Sequence, residues 1–133
     1  MSDSKVETIQ SVYEAFGRGD VAAILETLTD DVDWAVGGES SVAAWYGRRT
    51  GKTEVAGFFA ALGTTVEVTE FTPLSFASND TDVMVVIRYG VRVPATGKSG
   101  TMDLHHWFRF RDGKIWYVRG TEDTALTAEL LTS

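Results

Sequence analysis

Residues 99–123 read SGTMDLHHWFRFRDGKIWYVRGTED. Two β-rich runs flank Arg111-Asp112-Gly113-Lys114, and the Asp-Gly pair between them is a strong hairpin signal, because both central residues must take positive φ. The hairpin is aromatic and carries both histidines of the chain, His105 and His106. It reads as the back wall of a pocket against which helices are laid. Successive strand residues point to opposite faces. Leu104, His106, Phe108 and Phe110 therefore share one face, and Asp103, His105, Trp107, Arg109 and Arg111 share the other. The first set is the more apolar and is expected to face the helices. The two histidines point apart and cannot jointly hold a metal from this strand. With no further histidine, no metal site is assigned.

The chain before the hairpin supplies those helices. Ser4–Phe16 is the first, with Val6, Ile9, Tyr13 and Phe16 on one face and a capping box from Ser4 and Glu7. Gly17 and Gly19 end it. Asp20 caps a second helix whose apolar stripe is Val21, Ile24, Leu25 and Leu28. Asp30-Asp31 reads as a turn and Val32–Val36 as a short strand with Trp34. Residues 37–51, GGESSVAAWYGRRTG, read as a long loop carrying Trp45 and Tyr46; such loops are often functional. Thr53 is expected to cap a third helix with Val55, Phe58, Phe59 and Leu62 inward and Gly63 as its stop.

From Val66 the period becomes strand-like. Val66 to Ala77 is one strand interrupted at Pro73 by a bulge. Asn79-Asp80 turns the chain into a long strand, Val83–Val93, which is apolar on both faces apart from Arg88 and Arg92. A turn at residues 95–98 leads into the hairpin, and a short helix, Ala125–Leu131, follows Glu122-Asp123. Helices and antiparallel strands segregated in this order predict one α+β domain, residues 1–133, with a curved sheet wrapping helices.

Composition narrows the function. The 133 residues contain no cysteine, so disulfides, thiolate metal sites and a cysteine nucleophile are excluded. The formal net charge of −7 disfavours nucleic acid and anionic membranes as partners. No apolar run approaches membrane-spanning length, and a cytoplasmic location is expected. The Gly17-Arg18-Gly19 segment follows a helix rather than a strand, which removes a dinucleotide loop. No cofactor is implied.

The order of elements, with Tyr13 to Asp20, Leu28 to Trp34, Trp45 to Gly51, Glu54 to Leu62, and Trp107 to Ile115 leading to Glu122-Asp123, resembles the nuclear transport factor 2-like superfamily in its SnoaL-like branch. The resemblance implies a cone. A curved, mostly antiparallel sheet is closed by three helices, with an apolar pocket at the open end and often a homodimer through the outer sheet face. It also places Trp116, Val118, Gly120 and Glu122 inward on the second hairpin strand, and Met84, Val86, Arg88 and Gly90 inward on the long strand before it. Fold alone does not fix activity here. Ketosteroid isomerases of the superfamily carry an aspartate base where this chain has Trp34 and an oxyanion-binding aspartate where it has His106. Limonene epoxide hydrolases carry aspartates where it has Gly90 and Gly120. Neither chemistry is expected.

The resulting site is lined by Trp34, Trp45, Tyr46, Phe59, Phe108 and Val118, an apolar frame for a small hydrophobic or aromatic molecule with a polar or acidic group. His106 is the candidate acid–base residue, because imidazole titrates near neutrality. Arg88 is the candidate for holding a carboxylate or a developing oxyanion, and Glu122 for orienting either. The alternative for Arg88 and Glu122 is a buried structural ion pair. Three functions stand side by side: an isomerase, cyclase or dehydratase type of enzyme, a binding or accessory protein without chemistry, and a protein-interaction role through the outer sheet face. His105, Trp107, Arg109, Tyr117 and Arg119 form an outer face suited to a homodimer.

Overall fold

The computed structural model describes residues 3–133. The elements are α1 (Ser4–Arg18), α2 (Val21–Glu26), β1 (Leu28–Val36), β2 (Gly47–Thr50), α3 (Lys52–Thr65), β3 (Glu67–Ser78), β4 (Asp82–Val93), β5 (Lys98–Arg111), β6 (Lys114–Thr121) and α4 (Thr124–Leu131). One six-stranded sheet runs in the order β2-β1-β6-β5-β4-β3. It is antiparallel except where β1 meets β6. Its edges are not joined, so the cone is an open, curved sheet rather than a barrel. The α+β class and the cone follow the sequence reading.

The opening hairpin forms as expected. Asp112 has φ 51° and Gly113 φ 79°, the positive values that a tight two-residue turn needs. Pro73 marks a register shift between β3 and β4, with a second shift between Val68 and Glu70. A strand that has lost a backbone donor bends rather than continues its ladder.

Several local expectations change. Asp3, not Ser4, caps α1, its side chain accepting from Lys5 N. The helix runs through Gly17 and stops at Gly19, which takes φ 71°. Asp20 caps α2 as read, accepting from Ala23 N. Gly51 rather than Thr53 precedes α3, which passes Gly63 and ends at Thr65. No side chain caps its first turn; Glu54 instead accepts from Thr50 N, just before the helix, at 2.8 Å. Asp30-Asp31 is not a turn. Both residues lie in β1, where the register against β6 shifts between Leu28 and Asp33. Their side chains instead meet Lys52 and Arg111. The long loop also contains β2, whose Arg48 and Arg49 pair opposite Ala35 and Trp34.

The inward face of β4 is the reverse of the one expected, and on β6 one residue, Trp116, leaves the expected face. On β4 the inward residues are Val83, Val85, Ile87, Tyr89, Val91 and Val93, all buried. Met84 is 48% exposed and Arg88 is exposed. On β6 a shift between Arg109/Tyr117 and Phe110/Ile115 leaves Trp116 as an extra residue. Ile115 is consequently buried, and Trp116 turns out to meet the guanidinium groups of Arg109 and Arg111, 5.3 and 5.7 Å from its ring centre. Val118 and Gly120 keep their inward places.

The core lies between the inner face of the sheet and α1, α2 and α3. Ile9, Ile24, Leu28, Ile87 and Ile115 are its largest fully enclosed aliphatic side chains. Among the described residues no helix is long and apolar enough to cross a membrane.

Candidate functional site

The concave face of the sheet and the three helices enclose a cavity of about 70 Å³. Trp34 from β1, Phe59 from α3, Phe108 from β5 and Val118 from β6 line it as the sequence suggested, with Trp45, His106 and Glu122. The rest of its wall is aromatic and aliphatic. Phe16, Phe59 and Phe71 divide it from an open groove of about 570 Å³ between α1, α2, α3 and β3. Phe16 packs on both of the others, with ring centres 6.1 and 5.2 Å away. An engineered apolar cavity of about 150 Å³ holds a benzene, so the inner space takes a ring only if the phenylalanines between it and the groove shift.

His106 is the polar centre of the wall. Its Nδ1 lies 2.8 Å from the hydroxyl of Tyr13 on α1. Gly120 opposite makes room for the ring: a Cβ there would come within 3.2 Å of His106 Cδ2 and of Val36 Cγ2. Burial, then the neighbouring His105, pushes the imidazole down to about 4; at neutral pH it carries no charge. Burial raises the Tyr13 phenol far above its ordinary value, and the hydroxyl keeps its proton. A phenol is a better donor than acceptor, so the pairing favours Tyr13 O–H donating to Nδ1. The remaining proton of the neutral ring then sits on Nε2, where Nε2–H is an available donor. Sequence reading put Tyr13 on the inward face of the first helix and His106 on the pocket wall, but not the bond between them.

Glu122 is already engaged. Its Oε2 accepts from the Tyr46 hydroxyl and from Thr127 Oγ1, each at 2.6 Å, and Trp45 Nε1 reaches Oε1 at 3.5 Å. This arrangement ties the residues after β1 to α4. Tyr46 stands behind Glu122 rather than on the cavity wall. It packs so closely on Gly37 (φ 74°) that a Cβ there would lie 2.3 Å from its ring. Glu122 thus anchors structure through Oε2, while Oε1, with only the long contact to Trp45, keeps acceptor capacity on the cavity wall.

Arg88 is not part of this site. It projects from the outer face, opposite Asp103 and Thr72 in the neighbouring strands, and the structural pair with Glu122 is absent too. No lysine or arginine lines the cavity. The structure brings together His106, Glu122, Trp34, Trp45, Phe59, Phe108 and Val118, sets Tyr46 one layer behind, and leaves Arg88 outside. Sequence reasoning missed Phe16, Phe71 and Tyr89 as wall residues. Among the described residues there is no cluster of His, Cys, Asp and Glu that would hold a metal.

The outer face gathers the residues expected there. Arg119 lies over the Tyr117 ring at 4.0 Å and pairs with Asp33 at 3.0 Å. Arg109 lies within 5.3–5.8 Å of three rings, those of Trp107, Trp116 and Tyr117. Asp82 is buried and accepts from Trp107 Nε1 at 2.9 Å and Arg109 Nε at 3.4 Å. Burial alone would raise its carboxyl; the hydrogen bonds and the Arg109 charge more than offset this and hold it below the usual range.

Comparison with known proteins gives a consistent picture. A family model described as a SnoaL-like domain matches residues 9–118. An NTF2-like protein of unknown function from Burkholderia pseudomallei K96243 superposes with a TM-score of 0.92 at 27% identity, covering 99% of this chain and 100% of that one. TerC, co-crystallized with polyporic acid, superposes with a TM-score of 0.88 at 25% identity over 98% and 100% of the two chains. A candidate polyketide cyclase from Xanthomonas campestris pv. campestris gives 0.82 at 21% identity over 97% of each, a likeness of fold alone. No curated protein matches the sequence significantly.

Proposed function

The chain belongs to the SnoaL-like domain family, and on that premise we propose that its cavity binds a small, neutral hydrophobic or aromatic molecule, whose carbonyl-type oxygen is held by His106 Nε2–H. One observation carries this reading: the 2.8 Å hydrogen bond between Tyr13 and His106 inside a mostly apolar wall. It fixes the imidazole and directs a donor rather than an acceptor to the ligand. A carboxylate ligand is disfavoured, because no cation lines the cavity and Glu122 stands on its wall. The acidic group that sequence reasoning allowed depended on Arg88, which faces the other way. The co-crystal of TerC supports the reading that a chain of this shape can hold an organic molecule.

A second reading, acid–base catalysis of the isomerase, cyclase or dehydratase type, is favoured by the same pair. Tyr13 and His106 form a relay that can lend a proton to a carbonyl oxygen as charge develops on it. A neutral imidazole acts here as the acid, and no free carboxylate stands beside it as the base.

Calorimetry with 1-indanone and with 1-indanecarboxylate tests the first reading. The ketone is expected to bind at least tenfold more tightly than the anion, and His106→Leu to remove most of that preference. Arg88→Ala is expected to change neither affinity. Equal binding of ketone and anion would overturn the proposal. Deuterium exchange at the α-carbon of 1-indanone, followed by proton NMR in heavy water, separates binder from enzyme. Exchange faster than buffer, and lost in His106→Leu, would establish catalysis. A cytoplasmic location belongs to the same proposal and is checked by fractionating the producing cells.

A further inference from the structure

This inference rests on the cavity reading above and concerns its far wall. His106 Nδ1 and Glu122 Oε2 accept from within the protein, but two donors on the wall have no protein partner. Tyr89, 4% exposed, faces the cavity from β4, and its hydroxyl makes no hydrogen bond within the described residues. Burial, with Glu122 and Tyr46 nearby, holds its ionisation far above the ordinary value, so the group stays protonated. Trp34, 5% exposed, has a buried Nε1–H with no partner. An indole N–H can only donate. Native proteins rarely leave a buried group like this indole N–H unpaired, and it needs an account; the Tyr89 hydroxyl is a donor on the cavity wall without a protein partner.

The register separates these donors from His106. His106 lies opposite Val85 in the β4–β5 ladder, and Tyr89 stands four residues further along β4. At ~3.4 Å per residue this is about 13 Å between backbone positions along the same inner face. Both side chains line the same cavity from these two positions. A hydroxyl on the ligand would bring a donor of its own, and the carboxylate on the wall, Glu122, is already held through Oε2 by Tyr46 and Thr127. A carboxylate would meet the charge of Glu122. A carbonyl has neither defect. We infer that Tyr89 is a second ligand anchor, and that the ligand is a neutral molecule with carbonyl oxygens at opposite ends, of the quinone or diketone class. Trp34 Nε1–H provides a further donor on the β1 wall.

Duroquinone and its hydrocarbon counterpart durene have nearly the same shape and differ in the two carbonyls. The chain has no cysteine to add to the quinone. Calorimetric titration of the wild-type protein is expected to show duroquinone binding at least tenfold more tightly than durene. Tyr89→Phe, which keeps the ring, should weaken duroquinone roughly three- to tenfold and leave durene within about twofold, the range for one lost hydrogen bond. Its effect should multiply with that of His106→Leu, because the two carbonyls are held separately. The wild-type protein offers an independent readout: the Trp34 indole N–H resonance should move downfield with duroquinone and not with durene. If durene binds and Tyr89→Phe leaves the duroquinone-to-durene ratio unchanged, Tyr89 is only wall, and the inference is overturned while the cavity reading stands. If the wild-type protein binds neither compound, the cavity reading fails and this inference with it.

Discussion

His106 is a histidine whose ordinary switch has been moved out of the physiological range. Its imidazole titrates at about 4 instead of 6.5, burial being the main cause. The unfolded chain therefore binds a proton between those values that the folded chain refuses. Stability from this group is complete above about pH 6.5 and is lost as pH falls towards 4, by up to about 3 kcal/mol. Asp82 and Asp33 act in a different window, because their carboxyls are held below the usual range. Their contribution is present above the unfolded carboxylate value and disappears only at more acid pH. Urea unfolding between pH 4 and 7 should show the first loss in the wild-type protein and a flatter profile in His106→Leu; parallel profiles would remove His106 as its source. At this scale the sequence revealed the identity and inward direction of His106, because alternation along one strand needs no partner. It did not reveal the Tyr13 bond, which joins residues 93 apart. It also misled on Arg88. That assignment rested on resemblance, although Arg88 and Arg92 on one face of β4 against an apolar row on the other already argued for exposure.

Elements fail to be legible where the ladder slips. Periodicity located every helix and nearly every strand, because apolar spacing reports burial directly. It could not locate β2, a four-residue strand whose partner β1 completes the pattern. Nor could it see that Trp116 would be extruded, since a bulge is a property of two strands and one strand's parity cannot display it. Beyond the bulge the faces come back into phase, which is why Val118 and Gly120 were placed well and Ile115 was not. Gly120 tests how tightly that phase is held. In Gly120→Ala the added methyl would lie 3.2 Å from His106 and Val36, displacing the imidazole. Overpacking of this kind destabilises by about 1–3 kcal/mol. Denaturant unfolding should show that loss, and the His106 ring resonances should shift with it. An unchanged midpoint and unchanged ring resonances would mean that the space beside the ring is looser than described.

At the scale of the molecule, the sheet has two differently dressed faces. The inner one is apolar and encloses the cavity. The outer one carries Met84, half-buried Val86 and a run of guanidinium groups over aromatic rings. Interface cores are enriched in aromatics, methionine and arginine, and a homodimer through this face is the expected assembly. Sedimentation equilibrium at micromolar concentration should give a dimer for the wild-type protein and a monomer for Met84→Glu, whose charge would be desolvated at the interface. A wild-type monomer would rule this assembly out. The cone itself was legible from the order of elements, but which residues face the cavity depended on strand parity.

The pairing of β1 with β6 also orders events in time. β1 sits between β2, its near neighbour in the chain, and β6, against which Arg119 reaches Asp33 across 86 residues. Contacts that span such distances form late, after the loop between them has been closed. During synthesis the segment with Trp34 emerges early and waits, one edge bare, until the final hairpin leaves the ribosome. The cavity therefore does not exist in any nascent chain that lacks β6, and a ligand of the proposed kind could be held only after β6 has joined the sheet.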